Sequence, residues 1–267
     1  MERETETPST DTAEAVDTIT DFITSKVEEA GADGVVVGLS GGIDSTASAA
    51  VAVEALGEEA VVGMVMPGEP SDEHNIRDAH RIADSLGIEK KEVNIEPVVE
   101  SFVDSVEYEP KKEAVGNVRA RSRMVFEYLE ANQRDLLVLG TGNRTELLIG
   151  YFTKYGDGAV DILPLGGLYK SEVRDVARHL GVDEHFVEKT PTAGLWEGQT
   201  DESELGATYD TIDDVLRCLV DRGLSVGETA DEVDVEVETV ERFEKMYEAS
   251  AHKRSPPPYP GFGRRRN

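Results

Sequence analysis

"VVVGLSGGIDSTAS", residues 35–48, decides the fold and poses the chemical question. Three consecutive valines without polar alternation read as a strand buried on both faces of a parallel sheet. A turn of small residues follows, and then a run that favours helix. Glycines let a backbone approach a ligand closely, and the N–H groups of such a turn and of the next helix N-terminus bind anions. The familiar triphosphate loop carries Gly-Lys-Ser/Thr at this place. Here the residues are Ile43, Asp44 and Ser45. A carboxylate beside phosphate is repelled unless a cation lies between them. Magnesium takes one or two carboxylates together with phosphate oxygens. The loop therefore implies a nucleotide–Mg²⁺ complex with Asp44 as a metal ligand. A lone Gly-Gly turn would be read as a plain strand-to-helix connection; strand-S-G-G-x-D-S-helix is read as a site.

Working outward, "DTAEAVDTITDFITSKVEEAGA" places Ala15, Ile19, Phe22, Ile23 and Val27 at helical spacing, with Asp11 or Thr12 as the cap. After the loop, "STASAAVAVEAL" is a helix stopped by Gly57, and "AVVGMVM" is a second strand. "SDEHNIRDAHRIADSLG" is a helix capped by Ser71 and stopped by Gly87, and "KKEVNI" is a third strand. Helices near 97–107 and 113–132 precede a fourth strand, "DLLVLGTG", which runs into the helix "NRTELLIG". Strands alternating with helices predict an α/β fold with a doubly wound parallel sheet and right-handed crossovers. Ligands of such sheets bind at the strand carboxyl ends, where both "GLSGG" and "GTGN" fall. Residues 151–170 read as loop, 171–181 as a short helix, and 191–208 as a long polar loop whose 192–207 stretch is a candidate lid. Helices at about 208–222, 226–233 and 236–250 close the pattern, and the whole chain, 1–267, is expected to be one domain with flexible tails at 1–10 and 256–267.

The chain has 55 acidic and 27 basic residues, a net charge of -28. Such a surface repels nucleic acid and anionic membranes. The last three helices, at about 208–222, 226–233 and 236–250, have helix-turn-helix spacing, but the would-be recognition helix is acidic, so DNA binding is not expected. The acidic residues are spread along the chain, as on solvated helix faces. Salt would screen them, with a Debye length of ~3 Å at 1 M, and a halophilic source is expected. No apolar run has the length of a membrane span, and the N-terminus is unlike a secretory signal. A cytoplasmic location is expected. Cys218, the single cysteine, lies on the apolar side of a helix and reads as core. His74, His80, His179 and His185 show no metal-ligand spacing.

The S-G-G-x-D-S loop resembles that of the ATP pyrophosphatases, whose fold is of the Rossmann-like, adenine nucleotide alpha hydrolase type. That superfamily cleaves ATP to AMP and pyrophosphate to adenylate a carbonyl or carboxylate oxygen. Further stretches narrow the resemblance to NAD synthetases: "GNVRARSRM" (116–124), "GTGNRTELLIGYFTKYGDGAVDILPLGGLYK" (140–170), "PTAGLWEGQTDESELGATYDTID" (191–213) and "HKR" (252–254). They occur in the family's order over almost the whole chain.

The resemblance implies amidation of deamido-NAD to NAD with ATP and ammonia, through an NAD-adenylate, by a ligase forming a C–N bond in the last step of NAD biosynthesis. It implies that Gly38, Leu39, Ser40, Gly41, Gly42, Ile43, Asp44 and Ser45 hold ATP, with Thr141, Lys170 and Thr192. Asp44 and Glu146 would share Mg²⁺, and Asp44 and Lys170 would be catalytic. Arg121, Lys154, Asp161, His252 and Lys253 would hold deamido-NAD. Asp157 reads as turn chemistry between Gly156 and Gly158. A homodimer with the dinucleotide near its interface is implied as well. Residues 66–75, "MPGEPSDEHN", depart from the aromatic-Gly-Gln loop of bacterial relatives, so no adenine contact is assigned there. No segment matches the amidase domain of glutamine-dependent members, so free ammonia, or ammonia from a separate subunit, is the expected donor. Other ATP pyrophosphatases, such as GMP synthases or tRNA-thiolating enzymes, leave "YFTKYGDG" or the acidic charge unexplained. A non-catalytic ATP-sensing module would need neither Glu146 nor Lys170.

Overall fold

The computed structural model describes residues 11–69, 71–192 and 200–260. The expected tail 1–10, residues 261–267 of the other expected tail and residues 193–199 of the candidate lid lie outside the described residues.

The valine stretch forms β1 (Gly34–Gly38), and Val35, Val36 and Val37 are wholly buried. Successive strand residues point to opposite faces. Val35 and Val37 accordingly join the core under α1 (Thr12–Ala30) and α2 (Ile43–Leu56), whereas Val36 joins the core on the other face. That second face is covered by α4 (Glu96–Asp104) and α5 (Lys112–Arg134), which contribute Val99 and Ala131. Apolar contact on both faces is why the strand shows no alternation.

β2 (Val61–Val65) and β4 (Leu136–Leu139) flank β1 in parallel, with Val35 opposite Val61 and Leu137. α3 (Glu73–Leu86) leads to β3 (Glu89–Glu92), and the sheet order is β3-β2-β1-β4. The order reverses between β1 and β4, which makes the crevice at their carboxyl ends the topological switch point. "GLSGG" and "GTGN" are therefore neighbours in space although a hundred residues separate them.

Three local expectations change. The third strand covers 89–92 and not 90–95. It is a charged edge strand, and Ile95, wholly buried, already turns the chain into α4. Asp72, not Ser71, caps α3 by accepting from the His74 N–H at 2.7 Å, while the Ser71 hydroxyl accepts from the Gly68 N–H at 2.9 Å. The stretch 191–208 contains a short helix, α9 below.

Beyond β4 come α6 (Arg144–Ile149), α7 (Lys170–His179), α8 (Glu184–Val187) and α9 (Asp201–Leu205). α10 (Tyr209–Leu216), continued by a π-helical turn Arg217–Asp221, is followed by α11 (Val226–Val233) and α12 (Val237–Ala249). Tyr209, Ile212, Leu216, Val240 and Phe243 form a core of their own with Leu148 of α6. Cys218 is buried, as expected. Packing the C-terminal helices on α6 brings them to the carboxyl end of the sheet.

Candidate active site

The turn after β1 is tied to itself and to β2. The Leu39 N–H donates to the Met64 carbonyl at 2.8 Å. The Ser40 and Ser45 hydroxyls lie 3.1 Å apart, and the Thr46 hydroxyl donates to the Gly42 carbonyl at 2.7 Å. Gly41 adopts φ +77°, and a Cβ there would stand 2.4 Å from the Asn75 carbonyl oxygen, so only glycine fits. Gly42 caps α2 without a capping side chain of its own. The first N–H groups of α2 thus face the crevice, an arrangement suited to phosphate.

Asp44, in the first turn of α2, meets two elements from across the switch point. Asn143, wholly buried, donates from Nδ2 to Asp44 Oδ1 at 2.8 Å. Asn143 also caps α6 in a reciprocal capping box with Glu146, accepting the Glu146 N–H at 3.0 Å. Lys170, only 1% exposed at the start of α7, donates to Asp44 Oδ2 and reaches Glu146 Oε1 at 3.4 Å. Its ammonium stands 4.7 Å from the centre of the Tyr209 ring.

Burial and then the charge of Asp44 push Glu146 up to about 8, against the pull of Lys170. Burial alone would lower Lys170, but the charges of Asp44 and Glu146 outweigh it and raise the ammonium above its usual value. Two carboxylates crowded this way call for positive charge. No group of three or more His, Cys, Asp or Glu side chains among the described residues is arranged to hold a metal ion by itself. Asp44 and Glu146 are the pair that fits a hard cation whose other ligands are phosphate oxygens and water.

A cavity of about 950 Å³ opens over this cluster. Among the residues expected to bind ATP, Gly38, Leu39, Ser40, Gly42, Ile43, Asp44, Ser45, Thr141, Lys170 and Thr192 line it, together with Glu146. Gly41 does not, because its turn packs against α3.

The model of the NAD synthase family matches residues 15–257. Relatives named NH(3)-dependent NAD(+) synthetase include one from Halobacterium salinarum, 51% identical over 93% of this chain and 93% of its own. Another, from Thermococcus kodakarensis, is 47% identical over 93% of this chain and 97% of its own. The solved structure of an NMN synthetase from Francisella tularensis superposes with a TM-score of 0.85 at 35% identity, covering 95% of this chain and 100% of that one.

The chain belongs to the NAD synthase family. Of the five residues expected to hold deamido-NAD, Lys253 lines the cavity. Its ammonium donates to the carbonyls of Gly150 and Phe152 at 2.6 and 2.8 Å. Burial lowers its pKa, partly offset by Asp157. Arg121, Lys154 and His252 gather outside the cavity. Arg121 donates to the Lys154 carbonyl at 3.1 Å, and the Lys154 ammonium donates to the His252 carbonyl. Asp161 stands apart, accepting from the Tyr128 hydroxyl at 3.1 Å and from the Val138 N–H at 2.8 Å.

Four residues at the site are not among the sequence candidates: Asn143, buried behind the cavity wall, and Asp157, Glu127 and Lys189, which line it. Asn143 carried a visible signal as a helix cap in "NRTE", but none for its contact with Asp44. Asp157 does serve its turn, accepting from the Thr153 N–H at 3.0 Å, and also lines the cavity. Glu127 lies so close to Gly38 that a Cβ there would stand 2.5 Å from its Oε1. Burial first, and then Asp157, push Glu127 up to about 8, against Arg123 and a hydrogen bond from the Gly38 backbone. Lys189 reaches the loop from beyond α8.

Proposed function

We propose that the chain is an ammonia-dependent amidating ligase that converts deamido-NAD to NAD with ATP, releasing AMP and pyrophosphate. One observation carries the reading: Asp44, Glu146 and Lys170, from three separate elements, meet at the switch point over a loop with phosphate-binding form. The family membership gives that cluster its reaction.

The triphosphate lies along the turn 38–45, its charge met by the N–H groups at the start of α2. Asp44 and Glu146 would hold Mg²⁺, which supplies positive charge to the phosphates when bound. The nicotinate carboxylate attacks the α-phosphorus, and the bond to the bridging oxygen breaks with pyrophosphate carrying the electron pair. Lys170, fixed by Asp44 and Glu146, offers its charge to the departing group. Ammonia then attacks the acyl carbon, nitrogen loses a proton, and AMP leaves with the electrons of the acyl–oxygen bond. Thr141, Thr192 and Gly41 complete the ATP site in this reading. Lys253 contacts the dinucleotide from the cavity wall, and Arg121, Lys154, Asp161 and His252 contact its more distant part outside.

The same reading makes the chain one domain that acts as a homodimer. Val125 and Leu129 of α5 are 57% and 62% exposed, and Phe102 of α4 is 58% exposed. Apolar side chains at this density beside Arg121 suit a second copy of the chain. A net charge of -28 suits a salt-rich cytoplasm. No helix among the described residues is long and apolar enough to cross a membrane.

The NMN synthetase neighbour motivates a second substrate, nicotinate mononucleotide. An endpoint assay in high-salt buffer with ATP and Mg²⁺ should compare both substrates, each with ammonium and with glutamine. NAD formed from deamido-NAD and ammonium, with equal AMP and pyrophosphate, is the expected result. Amidation of the mononucleotide alone would replace the dinucleotide reading.

A further inference from the structure

The turn after β1 lacks a lysine, yet the fold places one against it. Lys189, in the segment leading to Thr192, donates to the Gly41 carbonyl at 2.9 Å and to Asp78 Oδ2 at 2.5 Å. Gly41 is the residue in the left-handed conformation, so the ammonium is pinned at the apex of the loop. Asp78, on the inward side of α3 with its side chain 9% exposed, is the anchor. His185 Nε2 stands 3.3 Å from both Asp78 oxygens, and Arg81 lies 3.5 Å from Oδ1. Burial alone would raise the Asp78 carboxyl, but Lys189 and His185 outweigh it and hold it ionised below its usual range.

Lys189 lines the same cavity as the loop. Lys170 approaches from the side of Asp44, whereas Lys189 approaches from the side of α3 and Gly41. An ammonium has three donors. Gly41 and Asp78 take two, and a third can reach an oxygen of a bound anion. Asp78 does not line the cavity, whereas Lys189 does, so the carboxylate orients the cation from behind.

We propose that Lys189 is a pyrophosphate-binding residue, delivered to the loop from a distant segment in place of the lysine the loop itself does not carry, with Asp78 as its positioning residue. This rests on the reading that the turn 38–45 holds the ATP phosphates. Lys189 then holds the β- and γ-phosphates before the chemical step and the free pyrophosphate after it.

The test is calorimetric titration of the full-length protein with pyrophosphate in the presence of Mg²⁺, together with pyrophosphate product inhibition at varied ATP. Wild type is compared with Lys189→Met, Lys189→Gln, Lys189→Arg, Asp78→Asn and Asp44→Asn. Charge-assisted hydrogen bonds of this kind predict a loss of about tenfold or more in pyrophosphate affinity for the Met and Gln variants. Product inhibition should weaken by a similar factor, the KM for deamido-NAD should hold, and Lys189→Arg should restore most of the affinity. Asp78→Asn should fall between. Gln keeps a neutral donor, one bond shorter than the lysine, so near-normal pyrophosphate binding by Gln would show that the charge is not used and overturns the proposal. If Asp44→Asn abolishes binding while Lys189→Met binds as wild type does, the loop reading stands and the Lys189 assignment falls. If wild type binds no pyrophosphate, both fall.

Discussion

Asn143 Nδ2 donates to Asp44 Oδ1 at 2.8 Å, joining the helix after β4 to the helix after β1. The same side chain caps α6, so one residue sets the end of a helix and the direction of a carboxylate.

Asn143→Ala should therefore have two separable effects. Loss of the cap should cost about 1 kcal/mol of stability, read from denaturant unfolding. A freed Asp44 should lower kcat by roughly 10- to 100-fold at saturating ATP, as misplacement of a positioning group does. Unchanged kcat with lowered stability would confine Asn143 to the cap.

Lys170, itself buried, stands between the carboxyl groups of Asp44 and Glu146. Lys170→Met leaves them facing one another, and breaking a buried ion pair costs about 3–5 kcal/mol. The melting temperature should fall, and added Mg²⁺ should raise it more in the variant than in wild type. An equal response of both proteins to Mg²⁺ would contradict a cation site at Asp44 and Glu146.

Glu127 gives a pH prediction. Its folded-state pKa is raised from 4.5 to about 8, with Asp157, Arg123 and the Gly38 backbone facing it. A raised acid holds its proton more tightly when folded. Stability is full below the unfolded value and falls as pH rises from about 4.5 toward 8. Glu127→Gln removes that fall. The variant should gain stability over wild type at pH 8 compared with pH 5, in unfolding curves without ligand. A difference that does not change with pH would contradict the protonated buried acid.

The charge of -28 predicts a salt response. Screening tightens from a Debye length of about 10 Å at 0.1 M to ~3 Å at 1 M. The melting temperature should climb over that range in sodium chloride, and a flat or falling curve would contradict self-repulsion as a main stability term.

What could be read from the residues follows from how local each signal is. The three valines, the small turn and the run "STASAAVAVEAL" are contiguous, so β1, the loop and α2 were legible. "KKEVNI" mixes charges with apolar residues and so reads as a longer strand than the edge strand 89–92, because the burial of Ile95 belongs to the start of α4. The Asp44–Asn143 contact depends on β4 lying beside β1, a property of sheet order that no short stretch displays. Lys189 and Glu127 look like ordinary surface charges in a chain rich in them. Only their packing against Gly41 and Gly38 sets them apart. The reverse holds for Arg121, Lys154, Asp161 and His252: their motifs stand out in the sequence, and the structure sets them outside the cavity.

The central claim is that the carboxylate of the dinucleotide attacks ATP at the α-phosphorus before ammonia enters. Deamido-NAD labelled with ¹⁸O in the nicotinate carboxylate, turned over with ATP, Mg²⁺ and ammonium, tests it directly by mass spectrometry of the products. One ¹⁸O per turnover in the phosphate of AMP, with unlabelled pyrophosphate, is the predicted result. Label in inorganic phosphate with ADP as the nucleotide product, or AMP without label, would contradict it.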